Sequence, residues 1–191
     1  MSYSREYSYL AKAVLIGDGA TGKTSLAERY CHGKFVSSAY FMTVGANFYS
    51  KIIQIGDDIS KLLIWDIAGQ PHFKAVRSQF YMGTMICLAV FDLTRYSTLI
   101  NLEHWFNEMF NNIDENIIPT VLIGNKIDLA EEMLIDSREI TRFIESLYDL
   151  YPEYNKIGIP YFQTSAKTGQ NVEKAFLSVT EIFLKIVKSQ K

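Results

Sequence analysis

Eight consecutive residues near the start of the chain have the types and spacing of a phosphate-binding loop: Gly17-Asp18-Gly19-Ala20-Thr21-Gly22-Lys23-Thr24. They follow an apolar run, 13–16, that is typical of a buried strand, and they precede a helix-forming segment. In that context the backbone N–H groups and the helix N-terminus point at phosphate oxygens. Lys23 can then reach the β- and γ-phosphates, and the Thr24 hydroxyl can bind Mg²⁺. The structural alternative is an ordinary glycine-rich turn.

Two further polar motifs point to guanine as the base. The predicted strand 120–125 ends in the motif Asn125-Lys126-Ile127-Asp128. A carboxylate at Asp128 can accept hydrogen bonds from the N1 and N2 donors of guanine, whereas adenine presents no such pair. Lys126 can lay its aliphatic stem over the purine. After the last predicted strand comes Ser165-Ala166-Lys167, whose Ala166 N–H offers a second base contact. The alternative for the first motif is a polar turn after a strand.

The motif that closes the predicted strand 61–66 is Asp66-Ile67-Ala68-Gly69-Gln70. Asp66 is placed to hold Mg²⁺ through a water, since Mg²⁺ keeps several of its waters in proteins. Gly69 offers an N–H to a γ-phosphate with no side chain in the way, and Gln70 can orient an attacking water. A strand-ending aspartate followed by a glycine turn is the structural alternative.

Composition bounds the class of protein. The 191 residues, 48% of them hydrophobic, predict one domain with a full core. A formal charge of −2 gives no basic patch for a nucleic-acid partner. Cys31 and Cys87 lack metal-ligand spacing, and Cys87 lies in an apolar run, so we expect a reduced, cytoplasmic protein.

The sequence shows no membrane anchor of its own. No apolar stretch approaches the roughly 20 residues of a membrane span, and the polar segment 1–9 lacks a signal-peptide core. Ser2 excludes N-myristoylation, and no cysteine follows Cys87 to carry a prenyl group. Either the protein uses no lipid anchor, or a C-terminal tail is missing from this sequence. We expect a monomer that reaches membranes only through partners or through such a tail.

Short apolar runs alternate with segments of helical period, which predicts an α/β fold with a mostly parallel, six-stranded sheet and helices on both faces. We place strands at 11–16, 48–55, 61–66, 85–92, 120–125 and 160–164. The turn at 56–58 makes 48–55 an antiparallel edge strand. We place helices at 23–31, 73–82, 98–111, 137–147 and 172–187, with Asp136 and Glu139 capping the fourth. The predicted boundaries are an extension at 1–8, one domain at 9–187 and a tail at 188–191.

The sequence resembles the Ras superfamily of small GTPases over residues 9–187. The resemblance is carried by the phosphate loop, Thr43 and the three motifs above, which occur in the same order as in that superfamily. The resemblance is greatest to the Rab branch. The segment 43–48 is similar to the first switch and following strand of Rab proteins, and 65–70 to the start of their second switch. The lack of a prenylation cysteine also suits an archaeal relative of these proteins.

The resemblance implies the small G-domain fold of P-loop NTPases, GTP and GDP as substrate and product, and Mg²⁺ as cofactor. It assigns catalysis to Gln70, Lys23, Thr43 and Gly69, and the metal to Thr24, Thr43 and, through water, Asp66. The implied nucleotide-binding residues are Gly19, Ala20, Thr21, Gly22, Lys23, Thr24, Ser25, Phe35, Thr43, Gly69, Asn125, Lys126, Asp128, Ser165, Ala166 and Lys167.

The resemblance also implies effectors, an exchange factor and a GTPase-activating protein as partners. Phe48, Trp65 and Phe80 match the aromatic triad by which Rab proteins present their nucleotide state, although these rings could simply fill the core under the switches. The first switch, 35–44, contains no arginine, which implies slow turnover that a partner's arginine accelerates. Gly19 takes the crowded position beside the γ-phosphate.

Three features depart from the family pattern. The spacing from Phe35 to Thr43 is one residue longer than usual, which weakens the base-stacking role of Phe35. Pro71-His72 replaces the usual acidic-basic pair after Gln70, and the proline restricts Gln70 to extended geometry. The segment 148–157 adds about ten residues and three tyrosines. It is either a partner site or a longer helix whose rings fold back on the domain, and we favour the second.

Two other functions compete with a GTP-hydrolysing switch. One is a GTP-dependent binding module with negligible hydrolysis, which the restriction at Pro71 keeps open but the presence of Gln70 and Gly19 disfavours. The other is a P-loop kinase for a small molecule, disfavoured by the guanine-reading motifs and by the absence of a second substrate domain.

Overall fold

The computed structural model describes residues 7–35, 43, 45–69, 74–113 and 118–190. In this part of the chain, six strands form one sheet in the order β2-β3-β1-β4-β5-β6. The strands are β1 Tyr9–Ile16, β2 Ala46–Ile55, β3 Asp58–Ile67, β4 Ile86–Asp92, β5 Thr120–Asn125 and β6 Tyr161–Thr164. All six predicted strands are present, and β1, β2 and β3 each begin two or three residues earlier than expected.

The register confirms the predicted edge strand. β2 pairs with β3 antiparallel, with Phe48 opposite Trp65, whereas the other neighbouring strands all pair parallel. Gly56 and Asp57 form the two-residue turn between them, and Gly56 has a φ of 60°, which suits a glycine in a tight hairpin. The loops after β1, β3, β5 and β6 therefore meet at one edge of the sheet.

Helices cover both faces of the sheet. The described helices are α1 Lys23–His32, α2 Lys74–Tyr81, α3 Tyr96–Ile100, α4 Leu102–Phe110, α5 Ser137–Leu150, α6 Tyr154–Ile157 and α7 Val172–Ser189, with a 3₁₀ segment at Ile127–Glu132. α1 and α7 pack on one face and α3, α4 and α5 on the other. Every residue of β4 and β5 is buried, as expected for parallel strands covered on both sides.

The predicted capping of α5 is confirmed. Asp136 Oδ1 accepts hydrogen bonds from the N–H groups of Arg138 and Glu139 at 2.8 and 2.9 Å. Glu139 Oε2 in return accepts the N–H of Asp136 at 2.8 Å. This reciprocal pair satisfies donors that the first turn of a helix leaves without partners, and so it fixes where α5 begins.

The single helix predicted at 98–111 is wrong, because the chain forms two helices that meet at Asn101. The turn is tight there: Asn101 O accepts from His104 N–H at 3.0 Å and from Trp105 N–H only at 3.3 Å. In a regular α-helix Asn101 O would accept only from Trp105, four residues later. The additional bond from His104, three residues later, is typical of a 3₁₀ turn. The side chains of Asn101 and Trp105 both reach Asp18 from this junction.

The extra segment 148–157 folds back on the domain. Tyr154 is fully buried, and its hydroxyl lies 2.6 Å from Thr120 Oγ1 and donates to Ile118 O at 3.1 Å. The Tyr151 ring centroid lies 4.6 Å from that of Phe110. α5 accordingly runs three residues beyond its predicted end, and the tyrosines pack against the core instead of projecting from it.

We expect Tyr154→Phe to lower the free energy of unfolding by about 1 kcal/mol, the usual net contribution of one buried hydrogen bond. The loss stays modest because Thr120 Oγ1 keeps its own bond to Ile118 O at 2.8 Å. Urea denaturation of the nucleotide-saturated protein measures the change. Tyr151→Phe, at a half-buried position, is the matched control and should cost less. Equal stability of wild type and Tyr154→Phe would contradict an anchoring role for this segment.

Candidate nucleotide-binding site

The phosphate loop lies against the ends of two neighbouring strands. A Cβ atom at Gly17, whose φ is 134°, would lie 2.1 Å from Val90 O in β4. A Cβ at Gly22, whose φ is 97°, would lie 2.3 Å from the Asn125 side-chain nitrogen at the end of β5. Both positions therefore require glycine, for the close approach and for the backbone conformation.

Side-chain donors hold the carbonyl oxygens of this loop. A hydrogen bond to a carbonyl oxygen fixes the plane of that peptide. In a trans peptide the N–H of the next residue points in the direction opposite to the carbonyl, so its direction is fixed too. The bonds run from Lys23 Nζ to Gly17 O and Asp18 O (2.8 and 2.9 Å), from Thr21 Oγ1 to Asp18 O (3.0 Å), from Arg95 Nη2 to Gly19 O (3.0 Å) and from Asn125 Nδ2 to Thr21 O (2.9 Å).

Lys23 is buried beneath the loop. Burial lowers the pKa of its ammonium group to about 8, while the charges of Asp66 and Asp18 act in the opposite direction. A cation that has lost its water gains strongly from an anion placed beside it. Lys23 therefore lies where a phosphate group could supply that anion.

The predicted metal ligands lie together. Thr24 Oγ1 donates to Asp66 Oδ2 at 2.6 Å and lies 2.8 Å from Thr43 Oγ1. Asp66 Oδ1 is buried and has no hydrogen-bond partner within the described chain, and burial raises the pKa of this carboxyl group. Two hydroxyls and a carboxylate are hard oxygen ligands that fit Mg²⁺, and the buried oxygen without a partner is what a nearby cation would satisfy.

Gly69 rests directly on the phosphate loop. A Cβ there would lie 2.6 Å from Gly19 N and 2.7 Å from Gly17 O, so no other residue fits. Gly19 differs, because the nearest atom to its own Cβ would be Gly69 O at 3.9 Å. Within the described residues, therefore, no protein atom accounts for the predicted crowding at Gly19. Gln70, the predicted water-positioning residue, lies outside the described residues, as do Pro71 and His72.

The base motifs and the phosphate loop line one cavity of about 470 Å³. Its lining residues are Ala20, Gly22, Ser25, Phe35, Asn125, Lys126, Asp128, Leu129, Ala166 and Lys167. The structure thus brings together residues that are more than a hundred positions apart in the chain. Phe35, whose base-stacking role was weakened by the sequence spacing, lies at this cavity with its side chain exposed.

Ser165 orients the predicted base-reading carboxylate. Its hydroxyl donates to Asp128 Oδ1 at 2.5 Å and accepts the N–H of Thr168 at 3.0 Å. An ionised carboxylate offers about four lone-pair sites, so this bond leaves acceptors for two further donors. The geometry suits recognition of a pair of N–H groups on a ligand.

Asn125 ties the base side of the site to the phosphate side. Its Nδ2 donates to Thr21 O in the loop, while its Oδ1 accepts from Thr164 Oγ1 at 3.1 Å and from Ala166 N–H at 3.2 Å. The Ala166 N–H, which the sequence assigns to the base, therefore already has a partner here. A base contact from Ala166 requires that this bond be shared or exchanged.

Comparison with known proteins identifies the family. The family model described as the Ras family matches residues 12–185. The chain belongs to the Ras family. It is 37% identical over 174 residues to the Ras-related protein RABA1c of Arabidopsis thaliana, covering 91% of this chain and 75% of that protein. It is 36% identical over 188 residues to the Ras-related protein Rab-2B of Dictyostelium discoideum, covering 97% and 86% respectively. This Ras-family chain is thus a Rab-like small GTPase.

The aromatic triad of this GTPase is both packed and exposed. The Phe48 and Trp65 ring centroids lie 4.6 Å apart, and those of Trp65 and Phe80 lie 5.9 Å apart. Trp65 and Phe80 pack against the core, whereas Phe48 is 60% exposed. Two rings of the triad therefore pack against the core, whereas the third remains at the surface, so the core interpretation holds for Trp65 and Phe80 but not for Phe48.

Two networks at the phosphate loop were missed by the sequence reasoning. Asp92, buried at the end of β4, lies 2.6 Å from Lys126 Nζ and 2.9 Å from Arg95 Nε. The sequence did contain a signal for this network. Asp92 is a charged residue at the end of an apolar strand, at the same sheet edge as Asp66 and Asn125.

The second network joins the loop to α2 through α4. Asp18 accepts from Trp105 Nε1 and from Asn101 Nδ2, both at 2.8 Å. The Arg77 guanidinium lies 4.4 Å from the centre of the Trp105 ring and donates to Glu108 at 2.7 and 2.8 Å. Nothing in the sequence motifs marks Arg77, because a buried arginine on a helix has no local pattern.

Two further findings concern the described residues only. None of their helices is long and apolar enough to cross a membrane. Cys31 and Cys87 are both free thiols, as the sequence predicts.

The lowered pKa of Lys23 predicts a pH dependence of nucleotide binding. An anion favours the charged form, so bound GDP raises the pKa above its value of about 8 in the free site. Affinity for GDP should therefore fall as the pH rises above 8, and binding near pH 9 should take up protons. Calorimetry in buffers of different ionisation enthalpy counts these protons. Lys23→Met should abolish the uptake, and an unchanged proton count in this variant would assign the uptake to another group.

Proposed function

We propose that this GTPase is a Rab-like switch that binds GTP and GDP with Mg²⁺, hydrolyses GTP to GDP and phosphate, and presents its switch surface in the GTP state. The main support is that one cavity joins the phosphate loop to Asp128, and that Thr24, the last residue of this loop, brings its hydroxyl together with the Thr43 and Asp66 oxygens. A guanine nucleotide has the same order of groups: base, phosphates and bound cation.

Nucleotide binding would use groups that are already held in place. Asp128, oriented by Ser165, would accept the two N–H donors of guanine. Adenine lacks that pair, so the acceptor positions of Asp128 that Ser165 leaves open would have no donor on the base. Lys23 would regain at the phosphates the electrostatic stabilisation that burial removes.

Mg²⁺ would be held by Thr24 and, through water, by Asp66, with Thr43 as a ligand in the GTP state only. When bound, the ion neutralises charge on the phosphate oxygens. Thr43 and Gly69 would also contact the γ-phosphate. Loss of that phosphate would release both residues, and this is the order-to-disorder step on which switching of this kind depends.

Hydrolysis would transfer the γ-phosphoryl group from the β-phosphate oxygen to a water. In small GTPases, the usual model system for this reaction, phosphoryl transfer is catalysed mainly by positioning of the reactants and by stabilisation of charge. Gln70 would orient the water, and Lys23 would stabilise charge on the phosphates. Since residues 35–44 contain no arginine, slow turnover and acceleration by a partner's arginine are expected.

The proposed partners are effectors, an exchange factor and an activating protein that bind at the switches. The exposed Phe48 ring beside Trp65 and Phe80 supplies an apolar contact for an effector. The Rab names of the relatives support a role in vesicle trafficking at the cytoplasmic side of membranes.

Asp128→Asn tests the base assignment. The carboxamide cannot accept both guanine donors, so GDP affinity should fall at least about tenfold, while xanthosine diphosphate, which offers an acceptor at that position, should bind more tightly. Competition against a fluorescent nucleotide measures both affinities. Asp57→Asn, in the exposed β2–β3 turn, is the matched control and should change neither. Wild-type protein that binds ATP as tightly as GTP would contradict guanine recognition.

Gln70→Leu tests the hydrolytic role. Leucine keeps a similar volume but cannot hydrogen-bond to water, so single-turnover hydrolysis should fall at least about tenfold, or roughly 1.4 kcal/mol of barrier. GTP affinity should stay within a few-fold of wild type. Gln79→Leu, at an exposed position on α2, serves as the control. A Gln70→Leu variant that hydrolyses GTP as fast as the wild type would assign water positioning elsewhere, with His72→Ala as the deciding variant.

A further inference from the structure

The buried carboxylate of Asp92 collects donors from two directions. Its Oδ1 accepts from Thr94 N–H at 3.0 Å and from Thr94 Oγ1 at 2.8 Å. Its Oδ2 lies 2.9 Å from Arg95 Nε and 2.6 Å from Lys126 Nζ. These bonds keep the pKa of Asp92 below its usual value despite burial. Asp92 is thus a fixed anion between a residue of the base motif and Arg95.

Arg95 reaches the phosphate loop with its other end. While Nε is held by Asp92, Nη2 donates to Gly19 O at 3.0 Å. The guanidinium group is planar and rigid. When Asp92 fixes its Nε, the position and direction of the Nη2 donor are fixed as well. The Gly19 carbonyl is therefore held by a charge-assisted bond that depends on Asp92.

Holding the Gly19 carbonyl also orients the next N–H. In the trans peptide between Gly19 and Ala20 the carbonyl and the N–H point in opposite directions. The Ala20 N–H therefore points away from Arg95, and Ala20 lines the nucleotide cavity. Ala20 also has a φ of 62°, a conformation that costs a non-glycine residue energy and that persists only when its surroundings enforce it.

The location of this peptide indicates which phosphate it serves. Lys23 Nζ lies on the carbonyls of Gly17 and Asp18, immediately before this peptide in the loop. A lysine at this position of a phosphate loop reaches the β- and γ-phosphates rather than the α-phosphate. We therefore expect the Ala20 N–H, one peptide further on in the loop, to face the β-phosphate when a nucleotide is bound.

We propose that Arg95 is a positioning residue for the β-phosphate, and that Asp92, by holding both Arg95 and Lys126, couples phosphate recognition to base recognition. This inference rests on the proposed guanine-nucleotide function. Arg95 touches no ligand itself; it acts through the Gly19–Ala20 peptide. Asp92 in turn acts through two cations: Arg95, which holds the Gly19 carbonyl of the phosphate loop, and Lys126 of the base motif.

The test compares a ligand that has a β-phosphate with one that lacks it. Arg95→Met keeps the aliphatic stem and removes the hydrogen bond to Gly19 O. Affinity for GDP should fall about fivefold or more, whereas affinity for GMP should change less than twofold. Arg142→Met, at an exposed position on α5, is the matched control and should alter neither. Equal losses for GDP and GMP would mean a general structural effect and overturn the proposal, as would no loss at all.

A second measurement tests the coupling through Asp92. Lys126→Met should weaken GDP and GMP alike, because it acts on the base side. The loss of GDP affinity in the Arg95→Met, Lys126→Met double variant should differ from the product of the single losses, since both residues share Asp92. Strictly multiplicative losses would contradict the coupling. Failure of the wild type to bind GDP would instead contradict the proposed function, so the two failures are distinguishable.

Discussion

The contact between the phosphate loop and the buried strand ends is the constraint on which the rest of the site depends. Gly17 lies against the Val90 carbonyl and Gly22 against the Asn125 side chain, at separations that leave no room for a Cβ atom. Because β4 and β5 are buried on both faces, this surface is rigid. The loop therefore has one shape, in which its carbonyls have fixed donors and Lys23 is buried below it.

Two side-chain networks extend this constraint outward. Asp92 connects the loop, through Arg95, to Lys126 of the base motif. Asp18 connects it, through Trp105, to Arg77 on α2. The base side and the α2 side of the site are thus both bonded to the element that would hold the phosphates. A change at the phosphates has a direct physical route to each of them.

Much of this arrangement follows from local sequence. The strands follow from the apolar period, the antiparallel edge from turn chemistry, and the cap of α5 from reciprocal hydrogen bonds between Asp136 and Glu139, all of which are encoded within a few residues. The motifs fall at strand ends, so the sheet topology alone brings them together. The break at Asn101 and the burial of Arg77 depend on partners such as Asp18 and Glu108, which are distant in the chain. Periodicity within one segment cannot reveal such partners, so neither feature was predicted.

Release of labelled phosphate in a single turnover is the most direct measurement of the proposed activity. The wild-type protein is loaded with GTP labelled at the γ-phosphate, and the reaction starts when Mg²⁺ is added. The expected result is slow release of one labelled phosphate per bound nucleotide into solution, with GDP left on the protein. Intact GTP that stays bound would instead indicate a binding module, and transfer of the label to another small molecule would indicate a kinase. Either result would contradict GTP hydrolysis by this chain.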